Sequence, residues 1–488
     1  MTDTTETLNI KVFKKLTNKN FSEGLERAPT LLKSRQSSLF YKTLLAHFTN
    51  PELTTEIGDS ILKTLSQCLK NEDNLRCFID GSFANMLPTD QERFFNSIFE
   101  VFYVIVTTGS ILIDETIANV LHPLIKYNPK KSLTIIALYC QNFGEIDNPW
   151  PMIDLLIQEG SHFNIPNVAQ DYISLLAFLN KKYIEYRKGR SQHCWNQIIS
   201  MLSTEDTKIL SACYGGLCTI SEFYPGGSIQ IDSVSQHLKN TELQNSVLSM
   251  LNVATLNEND ASSKKLISTL MSIAETNVKS TLILMKLGCI FSAAQTIFSM
   301  TGWVNKKLPT TTDTLRLFLV LLRHKDLREE IAESPDFVEF LKQIITMDRQ
   351  GVVPIACTII RRVPLSKDLA TNLSKSGFLK KFYDAAEDGD DGLTKHSKLL
   401  LTDTICRVCY VREYLSMCDK IAEIIIENGE FTDSAALVAV RLCKYRKCKD
   451  RFKELKLDAF FKKEALKPKL HNVAKKFLKA ISDEESKQ

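Results

Sequence analysis

Apolar residues recur along this chain at helical spacing. Between Asp419 and Phe431, Ile421, Ile424 and Ile425 share one side while Glu423 and Glu427 take the other, and Asn428-Gly429 offers a cheap left-handed residue where the helix must stop. From Ser397 onward the stripe Leu400, Leu401, Thr404, Ile405, Val408 repeats the pattern. Such periodicity predicts amphipathic helices over most of the chain, each with a stripe to bury against a neighbour.

A short phrase occurs twice. "HKDLREEIAESPDFVEFL" begins at His324 and "SKDLATNLSKSGFLKKFY" at Ser366, with Lys325/Lys367, Asp326/Asp368, Leu327/Leu369 and Phe340/Phe382 in register. Each copy predicts a short helix, a second helix rich in Phe and Ile or Leu, a Gly-containing turn and a longer third helix. Weaker copies begin at Val411 and Asp450, and the steps from Leu327 to Leu369, Leu415 and Leu455 are 42, 46 and 40 residues. A similar arrangement runs from Asn71 to Val106. Units of roughly forty residues with three helices are too small to enclose their own apolar faces, so each covers its neighbour's; at that length the chain holds about eleven. Pro225-Gly226-Gly227 and the polar stretch Leu256 to Lys265 mark a joint or register break. The expected layout is a tail over 1–20, repeats over 21–222, an irregular middle over 223–323, C-terminal repeats with a basic end over 324–481 and a tail over 482–488.

On these features the chain resembles the armadillo-repeat family, most fully from Lys325 to Ile481 and in part from Asn71 to Lys126, although no motif separates armadillo from HEAT repeats. The resemblance implies an all-α, armadillo-like right-handed alpha-solenoid superhelix whose third helices line an inner groove for partner proteins or extended peptides. Groove-binding members often carry Asn near the end of the third helix, in an A-x-x-A-L-x-N-L phrase. This chain departs from that pattern, with Arg362, Arg407, Arg441 and Lys476 at the corresponding place. A basic column there favours carboxylates or phosphates and counts against basic peptides.

Composition changes the picture little. The chain has 488 residues, beyond one compact core, and its 18 Gly and 14 Pro are few for a sheet-rich fold. Thirteen cysteines without a spaced framework suit a reducing compartment, and the first residues show neither a secretory nor a transit pattern, so a cytoplasmic or nuclear protein is expected. The longest uncharged run, Leu287 to Asn305, is interrupted by Ser, Gln, Thr and Gly and predicts a buried helical hairpin, not a membrane span. Charge is segregated: Arg441 to Ala480 holds fifteen Lys or Arg against four Asp or Glu. That balance attracts anions, yet no RNA or DNA module accompanies it.

Candidate chemistry is sparse. Cys406 and Cys409 form one C-x-x-C within an apolar helical run, which suits buried thiols better than zinc ligands. The acidic loop after Asp384 places Gly392 and Leu399 where a calcium loop needs ligands. No phosphate-binding, dinucleotide or nucleophile-elbow motif occurs. The sequence therefore predicts a monomeric, non-enzymatic protein-binding scaffold or adaptor, without cofactor, catalytic residue or metal. Its expected partner is a protein, with an acidic segment as the candidate contact, held by Arg362, Arg407, Arg441 and Lys476. The alternative is a helical repeat protein that binds phosphates of RNA or an anionic membrane through its basic C-terminal repeats.

Overall fold

A computed structural model describes residues 7–108, 115–142, 150–182, 190–224, 226–274, 276–301, 312–334, 336–346, 351–385, 392–464 and 470–483. Among these there are helices and turns but no β-strand. The chain divides into two compact units, one comprising 1–229 with 241–255 and the other 230–240 with 256–488.

In the first unit, seven helices lie side by side in order: α1 (Phe21–Leu31), α2 (Thr55–Cys68), α3 (Phe95–Thr108), α4 (Pro129–Asn142), α5 (Ala169–Lys182), α6 (Thr207–Ser221) and α7 (Gln244–Val253). Each packs on the one before it, forming a ladder, with further helices between most successive members. Side-chain caps start several helices: Thr54 accepts from Ile57 N at 3.4 Å and Asp206 from Lys208 N at 2.8 Å, satisfying donors left free at the first turn. The stretch read as an N-terminal tail contributes core. Phe13 is fully buried, with its ring 5.8 Å from Phe21 and 5.2 Å from Phe40, because a 3-10 turn over Ile10–Lys14 folds it back onto the first helices.

The second unit repeats the ladder with α8 (Val278–Leu287), α9 (Thr312–Leu321), α12 (Val352–Arg362), α15 (Gly392–Cys406), α17 (Thr432–Leu442) and α20 (His471–Ser482). Between them run α10 (Lys325–Glu333), α11 (Phe337–Ile345), α13 (Lys367–Lys375), α14 (Phe378–Asp384), α16 (Tyr414–Glu427), α18 (Arg446–Glu454) and α19 (Leu457–Glu464). The doubled phrase runs through α10 into α11 and through α13 into α14, and its shared Lys-Asp-Leu is the first turn of α10 and of α13. Its Asp stands where the positive helix end favours an anion, and its Leu, Leu327 or Leu369, is buried. Ser366 caps Leu369 N at 3.0 Å, whereas His324 turns its Nε2 to the Gly288 carbonyl at 2.9 Å and ties the end of α8 to the start of α10.

Two expectations change. The third copy has two helices, since α16 is one continuous helix where the other repeats place two short ones. Its register also shifts: Leu415 is exposed and Leu455 only half-buried, while Tyr414 and Cys448 are fully buried. What repeats strictly is the ladder helix, which begins at Thr312, Val352, Gly392 and Thr432. Gly377 makes the turn into α14 at φ +78, a left-handed conformation that Gly adopts without strain, and Asn428 closes α16 at φ 53. Of the Leu287 to Asn305 run, α8 ends at Leu287, Gly288 to Ile290 form a turn and a helix spans Phe291–Thr301; residues 302–305 lie outside the described residues. Among the described residues no helix is long and apolar enough to cross a membrane.

Close approach within the first unit is tested at Gly58 on α2, where an added Cβ would stand 2.3 Å from the fully buried Phe94 ring. Ala is the better helix former by about 1 kcal/mol, yet overpacking a filled core costs about 1–3 kcal/mol. We expect Gly58→Ala to lower the thermal midpoint in calorimetry; a raised midpoint would contradict this packing.

Candidate partner-binding surface

Burial along α12, α15 and α17 follows the helical period, and it leaves one uncovered stripe on each. On α15 the stripe runs Leu393, His396, Leu400, Asp403, Arg407; on α17 it runs Asp433, Leu437, Val440, Arg441, Lys444; on α12 it runs Ile355, Thr358, Arg362. Leu393 is 58% exposed and Leu437 41% exposed, values that no core role explains. Successive ladder helices are neighbours, so their stripes adjoin: an apolar row borders a basic margin at the C-terminal ends.

That margin has internal partners. Arg407 Nη2 lies 2.7 Å from Asp403 Oδ2, and Arg441 Nη1 meets the other oxygen of the same carboxylate, whose side chain is 17% exposed. Asp403 therefore joins α15 to α17. Arg362 Nη1 donates to the Leu319 carbonyl on α9 at 2.7 Å. Lys444 Nζ donates likewise to the Cys406 carbonyl, and in the first unit Lys182 Nζ donates to the Cys140 carbonyl at 2.9 Å. A cation at the end of one ladder helix thus satisfies carbonyls at the end of the previous one, where the helix dipole also favours positive charge. Lys476 is exposed on α20 and forms no ion pair among the described residues. Of the four residues selected from the sequence, the structure unites Arg407 and Arg441 on Asp403, directs Arg362 to α9 and leaves Lys476 apart. Three arginines against one carboxylate leave this margin positive, and each guanidinium keeps further donors.

The first unit carries a second surface that the sequence reading missed. A groove of about 700 Å³ lies between α2 and α3, lined by Lys63, Gln67 and Lys70 on one side and Glu100, Tyr103 and Thr107 on the other. Another of about 430 Å³ lies between α4 and α5, among Thr134, Leu138, Gln141, Asp171, Ser174 and Phe178. Tyr103 is 49% exposed and Phe178 42% exposed. Their only sequence signal was an aromatic on the stripe opposite the buried one, visible once the buried face of each helix is known.

The buried titratable groups serve packing. Burial pushes the Cys406 thiol up to about 11 and the Cys140, Cys194, Cys213, Cys357 and Cys443 thiols up to about 12, away from the thiolate form that reacts or binds metal. Cys406 and Cys409 are both buried, and among the described residues no three His, Cys, Asp or Glu side chains converge as metal ligands. Buried Glu159 bridges His122 Nε2 at 2.6 Å and His162 Nε2 at 3.4 Å, pinning two neighbouring helices. Most of the acidic loop after Asp384 lies outside the described residues.

No known protein family matches the chain, and no curated protein does. Among solved structures it is similar to one from a study of a phosphorylation switch that controls the interaction between cadherin and beta-catenin, at 13% identity and TM-score 0.41, covering 97% of this chain and 98% of that one. It is also similar to an engineered protein from a structural genomics consortium, at 11% identity and TM-score 0.33, covering 91% of this chain and 99% of that one. Both superpositions are loose, and no property of either protein is carried over to this chain.

The Asp403 junction has a measurable consequence. Removing a largely buried carboxylate that accepts from two solvent-reaching guanidinium groups costs about 1–3 kcal/mol, whereas an exposed arginine contributes about 0–1 kcal/mol. We expect Asp403→Ala to lower the urea midpoint clearly and Arg407→Ala to leave it nearly unchanged. Equal effects would show that Asp403 is not the joint between α15 and α17.

Proposed function

We propose that this chain is a non-enzymatic protein-binding scaffold or adaptor, and that α12, α15 and α17 hold a partner segment bearing both apolar and acidic side chains. The observation that carries the reading is the row of uncovered Leu393 and Leu437, with half-buried Ile355, Leu400 and Val440, beside the basic margin of Arg362, Arg407 and Arg441. An exposed apolar stripe with charge along one border is the usual composition of a protein contact, in which apolar anchors supply affinity and the charged rim selects partner and register. In this reading the ladder is an armadillo-like right-handed superhelix. The grooves beside Tyr103 and Phe178 provide a further contact region in the first unit. Thirteen unpaired cysteines, most of them buried, support a reducing compartment, the cytosol or nucleus. The stacked helices present a broad contact surface, which supports binding as the task.

Selection of random 15-residue peptides on the full chain tests this reading. We expect enrichment of sequences that combine Leu or Ile with Asp or Glu, and at least tenfold weaker binding of those peptides to the Leu393→Ser/Leu437→Ser variant, whose changes lie at exposed positions and spare the core. Enrichment of basic peptides, or unchanged binding to that variant, would overturn it.

A further inference from the structure

The cations of the last repeat divide into two groups. One group is engaged: Arg451 pairs with Asp419 at 2.7 Å and with Glu454 at 2.8 Å, Lys462 with Asp458 at 3.4 Å, and buried Lys449 donates to the Asp483 carbonyl. Other cations, including Arg446, Lys447 and Lys453 on α18 and Lys475, Lys476 and Lys479 on α20, are exposed and form no ion pair among the described residues. The Lys449 contact brings the first turn of α18 to the C-terminal end of α20. Arg446 therefore stands near Lys479, one turn before Asp483, with Lys475 and Lys476 a further turn along the same exposed face, while Lys447 Nζ lies 5.9 Å from the centroid of the Tyr410 ring.

Helix capping explains only part of this arrangement. Lys479, in the last turn of α20, suits the negative end of its helix. Arg446 and Lys447 occupy the first turn of α18, which carries no acidic residue, so they oppose the dipole of their own helix. Positive charge gathered against the local preference, and joined by no ion pair among the described residues to the nearby exposed Asp450 and Asp483, favours an external anion.

We propose that this end of the second unit is an electrostatic docking surface for the anionic lipid headgroups of a membrane. Two features favour that occupant over nucleic acid or an acidic protein segment. Phe452, Phe461 and Phe477 are fully buried and half-buried Phe460 packs edge-on against Phe461, so no fully exposed ring is present for base stacking. Among the described residues after Leu442 no large apolar side chain is exposed, so there is no anchor for a protein segment and no wedge to enter the bilayer. Attachment by charge alone is reversible and sensitive to salt, and Arg446 with Lys475, Lys476 and Lys479 reaches the range of four to eight basic residues that binds anionic lipid.

Sedimentation of the full chain with vesicles tests the proposal. Phosphatidylcholine vesicles containing about a third phosphatidylserine should carry the protein down at low salt and release it as salt rises through a few tenths molar, while pure phosphatidylcholine vesicles should leave it in solution. Lys475→Gln/Lys476→Gln/Lys479→Gln should lower the partition coefficient roughly 100-fold. Arg446→Gln/Lys447→Gln should lower it by a smaller factor, and melting curves would establish that both variants fold. Leu393→Ser/Leu437→Ser should bind the vesicles unchanged, which separates this surface from the partner-binding stripe. Equal binding to both kinds of vesicle, insensitivity to the lysine changes, or binding of a 30-nucleotide RNA or a polyglutamate at lower concentration than the anionic vesicles would each overturn the assignment.

Discussion

The contact on which each unit depends is that of one ladder helix lying against the next. Helices of ten to fifteen residues are marginal in isolation and gain stability when an apolar stripe is covered by a neighbour. In the second unit the residues that meet this need include Ala356 and Ile360 on α12, Leu401 and Ile405 on α15, and Ala435 and Ala439 on α17, all fully buried. Small residues on α17 let the helices approach closely, and the larger ones fill the space between. The chain must leave one ladder helix, cover its outer side and return to begin the next, so the step in sequence is set by this excursion. The excursion itself is free to vary, as α16 in one repeat and α18 with α19 in the next demonstrate.

The same arrangement makes the surfaces. Once one stripe of each ladder helix is fixed against its neighbours, the opposite stripe reappears at every step, and residues in that slot become a row without any special folding device. Charge follows the helix ends: cations at the C-terminal ends serve the dipole and satisfy carbonyls of the preceding helix, as Arg362 does at Leu319 and Lys444 at Cys406. Basic residues therefore belong first to the joints between repeats. Their remaining charge gives the apolar row of Leu393 and Leu437 a selective border.

Helix type and the repeat were legible because they rest on local signals. Leu327 and Leu369 fall in the same buried place in two copies, and the Asp before each suits the first helical turn. The register failed at Leu415 because continuous α16 replaces two short helices, and sequence spacing alone does not reveal which element holds a constant length. Arg407 and Asp403, four residues apart on one helix, were within reach of sequence reasoning. Their sharing with Arg441 was not, since it depends on the offset between two stacked helices. Tyr103 and Phe178 were hidden for a related reason. In a helix as rich in apolar residues as "FNSIFEVFYVIV", periodicity does not mark which aromatic is left uncovered.

Hydrogen exchange after a single cavity-forming change tests most directly the claim that each ladder helix is held by its neighbours. Leu401, fully buried in α15, is a suitable position, and truncation to Ala costs about 2–5 kcal/mol. The account predicts that Leu401→Ala speeds amide exchange in α12, α15 and α17 together while α2 to α6 of the first unit stay as protected as before. Faster exchange confined to α15, or spread evenly over both units, would contradict it.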